Sequence, residues 1–106
     1  MAVKLVVIYP RPKDLETFET VYNRDHVPMA VEKLAGKTKI VATRVLGSPA
    51  GEPPFHRVAE VYFPSMEALE QCAASEGGKQ TIGNAVSISS GGAPVFLVAE
   101  EDTFVF

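Results

Sequence analysis

His26 and Tyr22 are the two side chains of this chain whose types and spacing point most directly to chemistry. With Leu15 and Phe18 they recur at spacings of three, four and four residues, the period of one helical face. An imidazole changes charge near neutral pH, so it can both take and give a proton. A phenol one turn away can orient a substrate oxygen or hold the imidazole in one tautomer. We predict that His26 and Tyr22 are catalytic; the alternative is a structural histidine at a helix end beside a core tyrosine.

Four other side chains are candidates for ligand contact. Phe18 continues the same helical stripe and is either a pocket wall or plain core. Tyr9 and Tyr62 lie at or near the ends of predicted strands, where their hydroxyls are expected to reach the same cavity. Arg44 is a candidate anchor for a ligand carboxylate, and the alternative is a cross-strand ion pair with Glu60.

Metal and thiol chemistry have little support in the sequence. His26 and His56 are the only histidines, and no ligand-spacing motif joins them. A two-histidine site completed by a carboxylate stays as an open alternative. Cys72 is the single cysteine, which excludes an internal disulfide, and we expect it to pack in the core. We therefore expect no metal and no cofactor.

Composition excludes several classes of protein. Ten basic and 13 acidic residues give a net charge of −3 without a Lys/Arg cluster, so we expect no binding to nucleic acid or to anionic membranes. No apolar run approaches the roughly 20 residues of a membrane span. The apolar start lacks the basic lead and cleavage site of a signal peptide, so we expect the cytosol. The length predicts one domain over residues 1–106.

The elements that position these side chains follow the order β-α-β-β-α-β. We predict strands at residues 3–9, 38–46, 55–63 and 94–99, helices capped by Asp14 and Ser65, a helical piece at 28–34 and a short helix at 79–88. The first helix is expected to end or kink near His26, because a proline at position 28 disfavours helical geometry in the preceding residue. The glycines at 77 and 78 are expected to end the helix that Ser65 caps.

This order predicts an α+β fold of the ferredoxin-like type, a four-stranded antiparallel sheet with helices on one face. Residues 3–9 are apolar on both faces, so their strand should be internal and the open face should need a cover. Two sheets packed face to face would provide it, and we predict a homodimer with two-fold symmetry. The alternative is a monomer whose tail, residues 100–106, folds across the open face.

Three motifs, taken together in their order and spacing, resemble the EthD family. They are Leu-Val-Val-Ile-Tyr-Pro-Arg-Pro at residues 5–12, Phe18-x3-Tyr22-x3-His26-x-Pro28, and Ala-Glu-Val-Tyr-Phe at residues 59–63 running into Ser-Met-Glu-Ala-Leu at 65–69. The resemblance implies a dimeric α/β barrel, and His26 matches the family's most recognisable polar residue. The family is named after a protein needed to degrade an ether fuel additive. More distant relatives on the fold include cofactor-independent monooxygenases, muconolactone isomerase and polyketide cyclases.

These observations predict a small-molecule protein that works without a cofactor. An apolar cyclic or aromatic compound would lie in a cavity between helix and sheet, with His26 as the acid–base group. The expected reactions are cyclisation, isomerisation, dehydration or oxygenation of an activated phenol, each of which needs a base near neutral pKa in a dry pocket. The alternative is a non-catalytic ligand-binding or accessory dimer of a degradation pathway.

Overall fold

The structure, a computed structural model, describes residues 2–106. Its elements in chain order are β1 (Ala2–Pro10), α1 (Leu15–Val21), a π-helical turn (Tyr22–His26), α2 (Val27–Lys33), β2 (Lys39–Arg44), β3 (Phe55–Phe63), α3 (Met66–Ala74), α4 (Glu76–Ile88) and β4 (Val95–Glu101). Within this range no helix has the length and apolar character needed to cross a membrane.

The four strands form one antiparallel sheet in the order β2-β3-β1-β4. This arrangement confirms the predicted ferredoxin-like α+β fold. Strand β1 is internal, as its two apolar faces predicted, and it pairs with β3 on one side and β4 on the other. The edges of the sheet are β2 and β4.

One face of the sheet carries the hydrophobic core. Alternate residues of β1 and β3, such as Val7 and Ala59, point towards the helices and pair directly in the register. The buried apolar residues form two adjoining clusters, Val7, Tyr9, Phe18, Tyr22, Ala59 and Ala85, and Ala30, Leu34, Val61, Phe63, Leu69 and Cys72. Cys72 packs in the second cluster, as expected.

The opposite face of the sheet is uncovered and partly apolar, and it also carries the ion pairs of Lys4 with Glu60 and Glu101. Val6 and Ile8 of β1 are half-buried there, and Leu97, which pairs with Val6, keeps 48% of its surface exposed. Residues 102–106 have no regular structure, and Phe104 is exposed. The alternative of a tail folded across this face is therefore wrong, and β4 extends two residues into the predicted tail.

The helical caps agree with the sequence. The Thr17 backbone N–H donates to the Asp14 side chain at 3.0 Å, and the Ala68 N–H donates to the Ser65 hydroxyl at 3.1 Å. Each bond satisfies a backbone donor that the first helical turn leaves without a partner.

The first helix was expected to end or kink near His26. It does not end there, because helical structure continues to Lys33, but a π-helical turn over Tyr22–His26 separates α1 from α2. Pro28 lacks an N–H, and the chain accommodates it with a wider turn in which the Val27 N–H donates to the Tyr22 carbonyl, five residues back. The following helical piece, α2, lies within one residue of its predicted bounds. Single π turns of this kind occur frequently at functional sites.

The predicted helix end at Gly77 and Gly78 is also wrong. Both glycines lie in the first turn of α4, which Ser75 caps by accepting a hydrogen bond from the Gly78 N–H at 3.0 Å. A Cβ at Gly77 would lie 2.4 Å from the Lys33 carbonyl oxygen, and one at Gly78 would lie 1.9 Å from the Cys72 carbonyl oxygen. These glycines therefore permit the close approach of α4 to α2 and α3.

Candidate functional site

A small cavity of about 40 Å³ lies between the sheet and the helices. Its lining residues come from all four strands, the π turn, α2 and α4: Leu5, Val7, Tyr9, Tyr22, His26, Val27, Ala30, Leu34, Ile40, Ala42, Ala59, Val61, Thr81, Ile82, Ala85 and Phe96. Four of these are alanines, whose short side chains leave the space open. Ala42, on edge strand β2, is the exposed member of this lining.

His26 lies in the wall of this cavity with 7% of its surface exposed. Its Nδ1 is 2.8 Å from Oδ1 of Asn84 on α4, and its Nε2 is 3.2 Å from the hydroxyl oxygen of Tyr9 on β1. Burial lowers the pKa of His26 below its ordinary value of 6.5, and the hydrogen bond to Asn84 opposes this effect. The imidazole is therefore uncharged at neutral pH and able to accept a proton.

Tyr22 is fully buried between two aromatic partners. Its ring stacks on His26 with centroids 5.7 Å apart and on Phe18 at 5.5 Å, and the Arg57 guanidinium lies 4.8 Å from its centroid. Burial raises the pKa of Tyr22, and Arg57 opposes this effect, so the phenol keeps its proton.

The Tyr22 hydroxyl makes no hydrogen bond to any other residue in the range 2–106. Every fully buried side-chain polar atom in that range has a partner, so this hydroxyl is not completely enclosed, and Tyr22 is among the residues that line the cavity. It can donate to an oxygen of a bound molecule.

Tyr9 and Phe18 complete the aromatic cluster around His26. The Tyr9 ring is fully buried and meets Phe18 edge-on at 5.4 Å and Tyr22 at 5.6 Å. Burial raises the pKa of Tyr9 far above 10. Tyr9 borders the cavity, whereas Phe18 lies behind Tyr22 in the core, the second of the two alternatives for this residue.

Comparison with known protein families shows which family the sequence matches. The EthD domain pattern matches residues 11–86, which include the π turn and most of α4. The chain belongs to the EthD family. A comparison with curated proteins gives no match.

One solved structure supports the family assignment, and two others share the fold. An EthD family protein from Bacillus halodurans shares 30% identity with a TM-score of 0.89, covering 96% of this chain and 100% of that chain. A dimeric ferredoxin-like protein of unknown function from Bacteroides fragilis has a TM-score of 0.66 at 14% identity, covering 94% and 96%. SnoaB from Streptomyces nogalater, a cofactor-independent oxygenase, has a TM-score of 0.67 at 15% identity, covering 98% and 96%.

Tyr62 does not share the cavity of this EthD domain. It pairs with Lys4 in the register, and both side chains point to the open face of the sheet, away from His26. The Tyr62 hydroxyl donates to Glu101 at 2.6 Å, and Lys4 donates to the same carboxylate at 2.9 Å. The prediction that Tyr62 joins Tyr9 in one cavity is wrong, because the two residues fall on opposite faces of the pleat.

Arg44 lies on the helix-facing side of edge strand β2 and is 55% exposed. It pairs with Arg57, whereas Glu60 pairs with Val41 and points to the other face, so the predicted Arg44–Glu60 ion pair is wrong. Its nearest acidic group is the Glu19 carboxylate, 3.9 Å away. Its guanidinium stays largely accessible to solvent.

The structure also reveals a charged cluster that the sequence did not predict. Glu19 accepts hydrogen bonds from Arg57 at 2.7 and 3.0 Å and from His56 Nε2 at 2.9 Å. Arg57 lowers the pKa of Glu19 to about 2, with a smaller contribution from His56. His56 and Arg57 are adjacent on a strand, where neighbours normally point to opposite faces. A register irregularity pairs Tyr9 with Arg57 but Pro10 with Phe55, and this irregularity allows both side chains to reach one carboxylate.

Asn84 is a further functional residue that the sequence did not single out. Its partner His26 lies 58 positions away in the chain, so no local pattern joins them. The one signal is an asparagine in the interior of a helix, where it is a poor helix former. Within residues 2–106 no cluster of three His, Cys, Asp or Glu side chains is arranged to hold a metal ion.

Proposed function

We propose that this EthD protein is a cofactor-independent enzyme that binds a small apolar cyclic or aromatic compound and uses His26 as its acid–base group. The observation that supports it is the setting of His26. The imidazole borders an apolar cavity and its two hydrogen-bond partners, Asn84 and Tyr9, carry no charge. No fixed charge beside the ring opposes a change in its protonation state during a reaction.

The chemistry that fits this setting is proton transfer next to a carbonyl or from a phenol. A neutral imidazole accepts the proton, and the Tyr22 hydroxyl donates to the oxygen that gains negative charge. Cyclisation, isomerisation and oxygenation of an activated phenol all begin with such a step. The likeness to SnoaB concerns the fold alone, so the reaction class rests on His26 and Tyr22.

The size of the cavity sets a condition on the ligand. A volume of about 40 Å³ accommodates water molecules, whereas benzene occupies an engineered cavity of about 150 Å³. Binding of a ring therefore requires the walls to move apart. Ala42 on the edge strand gives the most accessible side, and Arg44, two residues along the same face, is positioned to meet a carboxylate on a ligand that protrudes there.

Screening with phenols and enolisable cyclic ketones tests the proposal, with products followed by mass spectrometry. We expect conversion by the wild type and a loss of about 10²-fold or more in H26Q. Tyr22→Phe should lower turnover, because it removes the donor to the oxygen that gains negative charge. Tyr62→Phe is its matched control and should keep wild-type turnover, because the Tyr62 hydroxyl lies on the other face of the sheet. Unchanged turnover in H26Q would contradict the proposal. Tight binding without conversion would favour the accessory ligand-binding dimer.

A filled cavity provides an independent test of where the ligand binds. Ala59→Val adds two methyl groups to the lining and leaves the side chains of His26 and its hydrogen-bond partners unchanged. We expect the fold to be kept and ligand affinity to fall, as measured by isothermal calorimetry. Unchanged affinity would show that the compound binds elsewhere.

The functional unit is proposed to be a homodimer formed through the open face of the sheet. That face exposes Leu97 beside Val6 and Ile8, and the Bacteroides fragilis relative of the same fold is described as dimeric. Leu97→Glu should give monomers in sedimentation experiments, because a charge would enter the apolar contact. Leu46→Glu, at an exposed loop position, is the matched control and should stay dimeric. A monomeric wild type would contradict this proposal.

A further inference from the structure

We propose that Asn84 holds His26 in the tautomer protonated at Nδ1, and that Tyr9 is the hydroxyl through which the opposite nitrogen of His26 exchanges a proton with the ligand. The second half rests on the proposed function, whereas the first half concerns the free protein.

The contact at Nδ1 determines the tautomer. A carboxamide oxygen only accepts hydrogen bonds, so the nitrogen 2.8 Å from Oδ1 of Asn84 must carry the proton. A neutral imidazole carries one proton, and Nε2 is then left with its lone pair. Asn84 therefore directs the basic nitrogen of His26 towards Tyr9.

The contact at Nε2 explains the part played by Tyr9. With no proton on Nε2, the Tyr9 hydroxyl is the donor across the 3.2 Å between them. The lone pairs of the Tyr9 oxygen then remain for another partner. Tyr9 is fully buried and is among the lining residues, so we infer that this partner is a molecule that enters the cavity as its walls move apart.

The three groups are held by different elements of the fold. Tyr9 belongs to internal strand β1 and His26 to the π turn, while Asn84 lies on α4. The position of α4 depends on its close approach to α2 at Gly77. The stacking of Tyr22 on the His26 ring further restricts rotation of the imidazole.

The proton step balances without a co-reactant. A ligand O–H or acidic C–H gives its proton to the Tyr9 oxygen while the Tyr9 proton passes to Nε2 of His26. The ligand becomes an anion, Tyr9 stays a neutral phenol, and His26 becomes an imidazolium that donates to Asn84 and Tyr9. The ligand class is therefore a cyclic phenol, enol or enolisable ketone, and the return of the proton completes the cycle.

The opposite orientation of the Asn84 amide gives a different site. Its NH₂ would donate to Nδ1, the proton of His26 would lie on Nε2, and no basic nitrogen would face Tyr9. The two arrangements therefore predict different spectra.

Nuclear magnetic resonance of ¹⁵N-histidine-labelled protein distinguishes them without a ligand. We expect His26 of the wild type to show a protonated Nδ1 and a lone pair on Nε2. Asn84→Leu should give a mixture of tautomers. Asn84→Asp keeps the acceptor oxygen and should retain the wild-type pattern at a pH above the pKa of His26, which the new carboxylate raises. The His56 signals serve as an internal reference. A wild type protonated at Nε2, or an unchanged pattern in N84L, would overturn the assignment of Asn84.

Ionisation of a bound nitrophenol tests the role of Tyr9, because the phenolate is visible by absorbance. At equal saturation the wild type should hold a larger phenolate fraction than Tyr9→Phe, and His26 should keep its tautomer in Y9F. Equal phenolate fractions would show that His26 acts directly on the ligand. A nitrophenol that does not bind contradicts the proposed function and the Tyr9 relay together, while the tautomer result stands by itself.

Discussion

The two histidines of this protein are both buried, yet they have opposite surroundings. His26 is 7% exposed, borders the cavity and has the uncharged partners Asn84 and Tyr9. His56 is 3% exposed and hydrogen-bonds Glu19, which Arg57 also binds. His56 is not among the lining residues of the cavity.

The difference shows that burial alone does not indicate what a histidine does. A histidine that takes part in proton transfer needs contact with a ligand and neighbours that tolerate both of its charge states. His26 has such neighbours. His56 belongs to a charged cluster that joins α1 to β3, and there its contribution is to the fold.

Exchange of each histidine for glutamine gives the largest expected contrast. H26Q should lose about 10²- to 10⁴-fold in turnover at a temperature where it is folded, and it should also lose some stability because it disrupts the hydrogen bonds to Asn84 and Tyr9. H56Q should lose stability because it disrupts the hydrogen bonds to Glu19, while its turnover at a temperature where it is folded should stay near wild type. Turnover assays and urea unfolding on both variants check this. A loss of turnover in H56Q alone would reverse the two assignments.

Glu19→Gln tests the charged cluster itself. It leaves Arg57 partly buried without its carboxylate, and we expect a loss of about 2–4 kcal/mol in the free energy of unfolding. Asp25→Asn is the control: this exposed acid pairs with its neighbour Arg24, and the change should cost less than about 1 kcal/mol. Equal losses in the two variants would show that the cluster does not stabilise the fold.

The pKa of Glu19 in the same cluster predicts how stability changes at low pH. The pKa of Glu19 is about 2 in the folded protein against an ordinary 4.5, so its stabilisation is complete above pH 4.5 and is lost as pH falls towards 2. Glu19→Gln should therefore flatten the decline of stability over this range, as followed by thermal unfolding. An unchanged decline would contradict the assignment.

Substitutions at two glycines of α4, the helix that carries Asn84, test how this helix is positioned. Gly77→Ala should cost about 1–3 kcal/mol, because its Cβ would meet the Lys33 carbonyl, and should weaken the bond from Asn84 to His26. Gly83→Ala has open space and should stabilise the same helix by up to about 1 kcal/mol. Unfolding measurements and the His26 spectrum report both effects.

The pH dependence of turnover gives the smallest expected effect. Burial lowers the pKa of His26 below 6.5, so kcat/KM should rise with pH and reach its plateau before neutral pH. Asn84 raises that pKa, so Asn84→Leu should move the acid limb to lower pH. An acid limb of kcat/KM centred above pH 6.5 would contradict this assignment, as would a shift of that limb to higher pH in N84L.

Much of the fold was predictable because local patterns determine it. The bounds of β3 agree with the prediction, and the caps at Asp14 and Ser65 are present, since strand and cap signals depend on adjacent residues. The stripe of Phe18, Tyr22 and His26 was visible in the helical period. The π turn was not, because the sequence marks a proline but does not show how the chain accommodates it.

The incorrect and missing predictions about the site have one common cause: they concern contacts between segments that are distant in the chain. Tyr62 was predicted to lie in the cavity, but the face of the sheet on which Tyr62 lies depends on the register between β3 and β1. The contact of Asn84 with His26 joins two helices, and the pairing of His56 with Glu19 depends on an irregularity in one strand. Each contact is fixed by tertiary packing, and none has a local signature.

The most direct measurement is a histidine-resolved NMR titration of the wild type with a converted phenol or cyclic ketone. We expect the ligand to shift the ring signals of His26 and to change its protonation, while the signals of His56 stay in place. A ligand that perturbs His56 and leaves His26 unchanged would contradict the central claim.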